Sequence, residues 1–157
     1  MGKHYYISIL VISLLFLGCR KVNDDCNMND YPNAPGIEWN TEVDGSGEES
    51  HGHYILSCSD GGFLQIGETG FIPNSAKILV VKTDENGNLI WKKEFGNGGN
   101  NLGNSAIETS DGYIVCGAVN ENSTIIKLNK SDGSLLFQET ANNGGNDAYE
   151  DLVITSA

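Results

Sequence analysis

The chain has little positive charge and little proline. Nine lysines and arginines stand against 21 aspartates and glutamates, and the formal net charge is −12. An acidic chain repels phosphate backbones, so nucleic acid is not an expected partner. The sequence contains only 3 prolines but 20 glycines in 157 residues. This balance is expected when many tight turns join short strands.

Long apolar runs are also scarce, and the one at the amino terminus is too short to span a bilayer. Residues Ile7–Leu17 are apolar apart from two serines. As a helix this run would measure about 16 Å, whereas a membrane span needs about 20 residues. Lys3, which is positively charged, and His4, which is titratable, precede this run. The pattern predicts a secretory signal peptide over residues 1–18.

A cysteine directly after the apolar run gives this signal a more specific form. Leu17, Gly18 and Cys19 resemble the lipobox of bacterial lipoproteins, although Phe16 stands where an aliphatic residue is more usual. The resemblance implies cleavage before Cys19 and lipidation of that residue. Because Arg20 follows and not aspartate, it also implies delivery to the outer membrane, on the periplasmic face or at the cell surface. The alternative is an ordinary signal peptide followed by a structural cysteine.

The segment after Cys19 lacks the periodicity of a folded element. Residues 19–36 are polar and include Pro32 and Pro35. Such a composition predicts a disordered tether that holds the following domain away from the membrane.

Two stretches of the remaining chain repeat each other. Ser59–Gly67 recurs as Ser110–Gly117, and Lys82–Trp91 recurs as Lys127–Phe137. A repeat of about 50 residues built from short strands is typical of a propeller or another stacked β array. Each unit has four predicted strands, which is the number of strands in a propeller blade.

Strand alternation within the repeat places the strands. Trp39, Trp91 and Phe137 occupy one position of three aligned anchor strands, which predicts packing between repeat units rather than a ligand platform. The predicted anchor strands are Ile37–Val43, Leu89–Phe95 and Leu135–Ala141. The other predicted strands are His53–Cys58, Gly62–Gly67, Lys77–Thr83, Asn104–Thr109, Tyr113–Val119 and Thr124–Leu128, with Asn142–Ser156 beginning another unit.

The repeat resembles that of secreted and lipid-anchored bacterial β-propeller proteins. The resemblance lies in Ser-Asp-Gly-Gly-Phe from Ser59, Val-Lys-Thr-Asp from Val81, and Gly-Asn-Leu-Ile-Trp from Gly87. The last stretch is also loosely similar to quinoprotein-type propellers. The resemblance implies an all-β, β-propeller-like array of four-stranded antiparallel blades over residues 37–157.

The number of units falls short of a closed propeller. About two and a half units can be counted, whereas closure needs about four blades. We therefore expect an incomplete propeller: a truncated chain, an open array, or one part of an oligomeric ring. An open array exposes strand edges, which favour self-association.

Few residues offer metal chemistry. His51 and His53 lie two apart, so in a strand both imidazoles point to one face, and zinc sites combine histidine with carboxylate. Their counterparts in the second unit, Leu102 and Asn104, are not ligands. We therefore expect a solvated loop and no metal, with these histidines as the candidates if a metal binds. The Asp84-x-Asn86-x-Asn88 stretch resembles a calcium loop, but its glycine is misplaced, so a hairpin turn is expected.

Catalytic groups are not indicated either. Asp60 and Asp111 are equivalent turn residues, so an acid–base pair that uses them or Glu108 is disfavoured. Cys116 is predicted to be a core residue. A disulfide between Cys26 and Cys58 is an open alternative in an oxidising compartment.

Every repeated residue thus has a structural explanation. Neither a nucleotide-binding glycine loop nor a catalytic triad motif is present. We predict a protein without catalytic residues or cofactor that binds or scaffolds a protein or a glycan, anchored to the membrane through Cys19. The alternative is a fragment of a glycan-cleaving or quinone-dependent propeller enzyme whose catalytic blades are missing.

Overall fold

The computed structural model describes residues 36, 38–47, 49–71, 74–97, 99–142 and 144–155. The predicted signal peptide, Cys19, Cys26 and all of the predicted tether except Gly36 lie outside the described residues. Within the part described, the structure is all-β and contains no helix. All of its strands belong to one compact unit, Ile37–Ala157.

Eight strands form two separate four-stranded antiparallel sheets, each in chain order. The first sheet consists of β1 (Ser50–Ser57), β2 (Phe63–Thr69), β3 (Lys77–Thr83) and β4 (Leu89–Phe95). The second consists of β5 (Leu102–Thr109), β6 (Gly112–Val119), β7 (Asn122–Leu128) and β8 (Leu135–Ala141). Neither sheet closes on itself. The prediction of an all-β fold made of four-stranded antiparallel sheets is confirmed.

The strand predictions hold within both repeat units, but they fail in the segments before β1 and after β8. Strands β3, β4 and β8 have the predicted bounds, and the other five differ by up to three residues at an end. The predicted strand at 37–43 is wrong for its described part, 38–43, and residues 142 and 144–155 form no strand. The apolar alternation is present at both margins. A strand also needs a neighbour to complete its backbone hydrogen bonds, and no neighbouring strand pairs with these described segments.

Each sheet has two faces, which we name by their residues. The front face carries Phe63, Gln65 and Val81 in the first sheet, and Tyr113, Val115 and Ile126 in the second. The back face carries Leu64, Ile66, Val80 and Trp91 in the first sheet, and Ile114, Cys116, Ile125 and Phe137 in the second. These sets follow from strand alternation and the observed register.

The core lies between the two sheets, where the back face of the first packs on the front face of the second. Leu64, Ile66 and Val80 are fully buried there against Val115 and Ile126. Gly103 in β5 allows a close approach, because a Cβ atom at this position would lie 2.7 Å from Ile66 and 2.9 Å from the Gly67 carbonyl oxygen. The repeat therefore builds two similar sheets and stacks one on the other.

Candidate functional site

Two histidines at the start of β1 meet a buried glutamate of β2. The Glu68 side chain is only 4% exposed, and its Oε1 lies 3.5 Å from His51 Nδ1 while its Oε2 lies 3.1 Å from His53 Nε2. Oε2 therefore lies close to His53 without making an aligned hydrogen bond. Glu68 pairs with His51 across the strands, and an irregularity between Gly52 and Tyr54 interrupts the register beside it. Two imidazoles can therefore face one carboxylate.

A second glutamate holds the outer side of His51. His51 Nε2 lies 3.0 Å from Glu49 Oε1 on the protein surface. The hydrogen bond and the negative charge of Glu49 raise the pKa of His51 above its ordinary value of 6.5, and Glu68 adds to this effect. Opposite charge close to an imidazole favours its protonated form. The cluster of His51, His53, Glu68 and Glu49 is called the His–Glu cluster below.

The His–Glu cluster contains donor types found in zinc sites. Among the residues that the structure describes, however, no group of three or more His, Cys, Asp or Glu side chains is arranged to hold a metal ion. Glu48, the other acidic neighbour of these histidines, lies outside the described residues. In the arrangement observed, both imidazoles lie close to the Glu68 carboxylate, and we assign no metal to them.

The His–Glu cluster is where the first unit departs from the second. The register aligns His51, His53 and Glu68 with Leu102, Asn104 and Ala118, none of which is charged. The two histidines stand out in the sequence as a candidate pair, whereas Glu68, 17 residues from His51 along the chain, was not predicted to belong with them. A signal was present in the aligned repeat, because a glutamate replaces an alanine there on a buried strand.

A cleft opens on the front face of the first sheet, and His51 is among its lining residues. Glu68 belongs to the back face by strand alternation, so its contacts with the histidines lie on the other side of the sheet. The volume of the cleft is about 180 Å³. Leu79 and Val81 form part of its apolar lining, and Asp44 and Gln65 supply polar groups. The side formed by residues 42–44 has no regular secondary structure.

Side-chain contacts with β4 hold this irregular wall in place. The Lys92 ammonium donates to the carbonyl oxygen of Asp44. The backbone amide and the hydroxyl of Ser46 both donate to the Glu94 carboxylate, and Lys77 Nζ lies 3.1 Å from the same carboxylate. The cleft therefore has a defined wall, although that wall is not a strand.

The aspartates of the two Ser-Asp-Gly turns form equivalent ion pairs. Asp60 lies 2.9 Å from Lys82 Nζ, and Asp111 lies 2.6 Å from Lys127 Nζ. In each case the hydrogen bond from the lysine is the largest cause of an aspartate pKa below the ordinary value of 3.8. Both carboxylates stay ionised near neutral pH, which suits an ion pair and not a general acid.

Glu108 joins the two sheets. Its carboxylate accepts hydrogen bonds of 2.7 Å from the Ser59 amide, the Ser59 hydroxyl and Lys130 Nζ. Burial raises the pKa of Glu108, but these hydrogen bonds outweigh burial and the pKa lies below its usual value. Glu108 therefore acts as a fixed anionic acceptor between β5 and the turn after β1.

The Asp84 turn closes on itself. Asp84 Oδ1 accepts from the amides of Asn86 and Asn88 at 2.9 and 2.8 Å, and Oδ2 accepts from the Asn88 side chain at 2.8 Å. The Asp84 carboxylate is thus engaged by local donors. The expected hairpin turn between β3 and β4 is observed.

Two cysteines lie within the described residues, and both are free thiols in buried positions. Cys116 is in β6, as predicted for a core residue, and burial raises its pKa to about 11. Burial also raises the pKa of Cys58. Neither is placed as a thiolate nucleophile, because burial disfavours the charged form.

The three anchor aromatics have different surroundings. Trp39 lies 5.7 Å from Phe63 between ring centroids, and Trp91 lies 6.2 Å from Tyr113 with a similar tilt. Phe137 occupies the position of Trp91 but is 45% exposed. The predicted packing between units is therefore observed for both tryptophans, and Phe137 has no such aromatic partner among the described residues.

No protein-family model matches this chain, and a search of the curated proteins finds no match. Within the described residues, no helix is long and apolar enough to cross a membrane.

Proposed function

We propose that this chain is a non-enzymatic binding or scaffolding module of the bacterial cell envelope, with its repeat units stacked in a β-propeller-like array. Its ligand is a protein or a glycan, bound at the cleft on the front face of the first sheet. The two stacked sheets would form a rigid support, and the binding groups would lie on the front face of the first sheet.

The observation that carries this proposal is the position of the departure from the repeat. The Asp60 and Asp111 ion pairs recur in both units and have structural roles. The His–Glu cluster does not recur, and His51 belongs both to this cluster and to the lining of the cleft. The cleft thus adjoins the strand at which charged residues break the structural repeat, although Glu68 itself lies on the opposite face of the sheet. We place the ligand at this concave surface.

The size of the cleft supports recognition at a surface. Its volume of about 180 Å³ lies below the roughly 300 Å³ at which pockets for small molecules and cofactors begin. The cleft can take one sugar ring or one protein side chain, with the rest of the ligand lying outside. Asp44 and Gln65 offer hydrogen-bonding groups for either kind of ligand.

Membrane attachment completes the proposal. Lipidation of Cys19 would anchor the mature chain to the outer membrane, and the predicted tether would separate the sheets from the lipid surface. Substituting Cys19→Ala should move the protein from the membrane fraction to the soluble fraction, and lipid labelling of the wild type should disappear in this variant. Labelled membrane protein that persists in the Cys19→Ala variant would overturn the anchor.

A binding experiment with variants of the cleft tests the function. The protein from residue 20 onward, its Asp44→Asn/Gln65→Ala variant and an Asp132→Asn control would be applied to a glycan array. A photo-crosslinking residue would also be placed in cells at Gln65, and at Ser131 as the control position. We expect either glycan retention that the cleft variant loses or a protein adduct formed only from position 65.

Three results would contradict the proposal. One is the absence of both glycan retention and a position-65 adduct, and another is retention that the cleft substitutions do not change. The third is turnover of a retained glycan or a quinone absorbance band in the isolated protein, which would favour the enzyme alternative.

A further inference from the structure

The junction between the two sheets shows which groups hold one repeat unit on the next. Trp91, on the back face of the first sheet, meets Tyr113 on the front face of the second at 6.2 Å. A Cβ atom at Gly133 would lie 2.6 Å from the Trp91 ring, so only glycine leaves room there. Trp39 meets Phe63 and Gly87 in the same way at the first sheet.

The back face of the second sheet carries the same kinds of group, and the part of it around Phe137 has no cover. Phe137 is 45% exposed, whereas its counterpart Trp91 is 8% exposed. The side chain of Lys127 is 19% exposed, whereas its counterpart Lys82 is 1% exposed. Covering the back face accounts for both differences, because the first sheet has the second sheet packed over it.

Another part of this back face carries a chain segment. The amide of Tyr149 donates to the Gly117 carbonyl oxygen at 3.1 Å, and Asn104 Nδ2 donates to the Tyr149 carbonyl oxygen at 2.9 Å. Ser105 Oγ donates to Asp151 Oδ1 at 2.7 Å. Residues 147–151 therefore lie over part of the back face of the second sheet.

The same place on the first sheet belongs to β5. Aligning Asn143–Asn146 with Asn97–Asn100 brings Tyr149 to the position of Gly103. Gly103 lies over Gly67, and Tyr149 lies over Gly117. Gly67 and Gly117 are equivalent residues of the two units. Residues 147–155 thus take the position of a first strand, although no strand in the described part of the chain pairs with them.

We propose that residues 147–155 are the first strand of a third sheet and that the back face around Phe137 is a docking site. Its occupant is a three-stranded antiparallel meander of the same repeat type as β6–β8. The first strand of that meander pairs with residues 147–155 and brings an aromatic residue onto Phe137. Its last hairpin places a glycine against the Phe137 ring.

A second copy of this chain is a poorer occupant. The matching front face of such a copy is that of its own first sheet, where Trp39 already fills the place beside Phe63 and Gly87. Docking of a second copy would require the segment that contains Trp39 to leave. Lys92 and Glu94 hold this segment in place. A free meander of the repeat type meets no such competitor.

Extension of the chain with its own sequence tests this proposal. Thr155-Ser156 repeats Thr109-Ser110, so a copy of residues 111–142 placed directly after Ser156 would continue the repeat in register. We expect amide hydrogen exchange of residues 148–155 to slow by about 100-fold or more, because strand pairing protects backbone amides. The midpoint of thermal unfolding should rise as well.

A matched extension separates docking from the mere presence of more chain. In this matched extension, the copied residues carry Tyr113→Ser and Gly133→Val. The slower exchange of residues 148–155 and the higher midpoint of thermal unfolding should both be lost. Exchange in β1–β7 reports whether each protein is folded. If either extended chain fails to fold, a synthetic peptide of residues 110–119 added to the unextended protein should still protect residues 148–155.

The proposal is overturned if residues 148–155 exchange equally fast in the unextended, extended and matched proteins and with the peptide. It is also overturned if the unextended protein gains this protection as its concentration rises, since a second copy would then be the occupant.

Discussion

Trp91 Nε1 donates a hydrogen bond of 3.0 Å to the carbonyl oxygen of Lys130, 39 residues further along the chain. The donor lies in the last strand of the first sheet and the acceptor lies in the turn between the last two strands of the second. The ammonium of Lys130 also lies 5.9 Å above the Tyr113 ring that packs on Trp91. This small group of contacts is therefore one of the links between the sheets.

Removing the Trp91 ring should weaken the whole domain. The Trp91→Ala substitution is expected to cost about 3 to 4 kcal/mol of unfolding free energy, since large aromatic truncations in a core fall in this range. Phe137→Ala is the matched control and should cost less than about 1 kcal/mol, because substitutions at partly exposed surface positions have small effects. Urea denaturation measures both values. Equal losses would show that the Trp91 junction adds no special stability.

Gly133 should tolerate alanine less well than Gly144. Both have positive φ angles, 67° and 78°, so each alanine variant loses about 1 kcal/mol to a left-handed backbone. A Cβ atom added at Gly133 would meet the Trp91 ring, while nothing lies within 4 Å of one added at Gly144. Gly133→Ala should therefore lower the denaturation midpoint more than Gly144→Ala. A larger effect at Gly144 would contradict this account of the turn.

The repeat made much of this fold predictable from sequence. The anchor strands β4 and β8 alternate around Trp91 and Phe137, and their predicted bounds match the structure. Local alternation and turn chemistry are sufficient for such strands, because each has its sheet neighbour within the same unit. The segments at 38–43 and 144–155 alternate too, but pairing depends on a partner that local sequence cannot supply.

The candidate site was less predictable for a related reason. His51 and His53 were visible as a pair, whereas Glu68 reaches them only through the β1–β2 register. Its burial between the strands distinguishes it from the many exposed carboxylates of this acidic chain. Recognising Glu68 required knowledge of which residues face each other across the sheet.

Substituting Asp60 should cost more than substituting Asp111. Lys82 is buried, so Asp60→Asn leaves its ammonium with neutral acceptors only, the Thr83 carbonyl oxygen among them, and without a carboxylate partner. Half of Asp60 is exposed, so solvent reduces the loss to about 2 kcal/mol, below the 3 to 5 kcal/mol typical of a broken buried pair. Lys127 is less buried and Asp111 is largely exposed, so Asp111→Asn is expected to have little effect. Chemical denaturation at pH 7 tests the difference.

The same Asp60→Asn variant should lose its disadvantage in acid. The pKa of Asp60 is below 3.8 in the folded protein, chiefly because Lys82 donates to it. The stabilisation is therefore fully present above the unfolded pKa and is lost as the pH falls through the folded value. The stability difference between the wild type and Asp60→Asn should shrink below about pH 4. A difference that grows on acidification would show that Lys82 does not stabilise the ionised carboxylate.

The two described cysteines should be unreactive in the folded protein. Burial raises the pKa of Cys116 to about 11 and also raises that of Cys58. Little thiolate is therefore available at pH 8, and access is limited as well. In a Cys26→Ser protein that begins at residue 20, a thiol reagent should label both cysteines only after denaturation. A Ser131→Cys control in an exposed turn should react at once, and rapid native labelling of Cys58 or Cys116 would contradict their burial.

The His51 imidazole should titrate above its ordinary pKa of 6.5. Its bond to Glu49 is the largest cause, so Glu49→Gln should lower this pKa more than Glu68→Gln does. A raised folded pKa stabilises the protein below the unfolded value, and this contribution disappears as the pH rises through the folded one. Imidazole NMR signals followed from pH 5 to 9 give the three pKa values. The reverse order of the two variants would place the main partner of His51 at Glu68, inside the sheet.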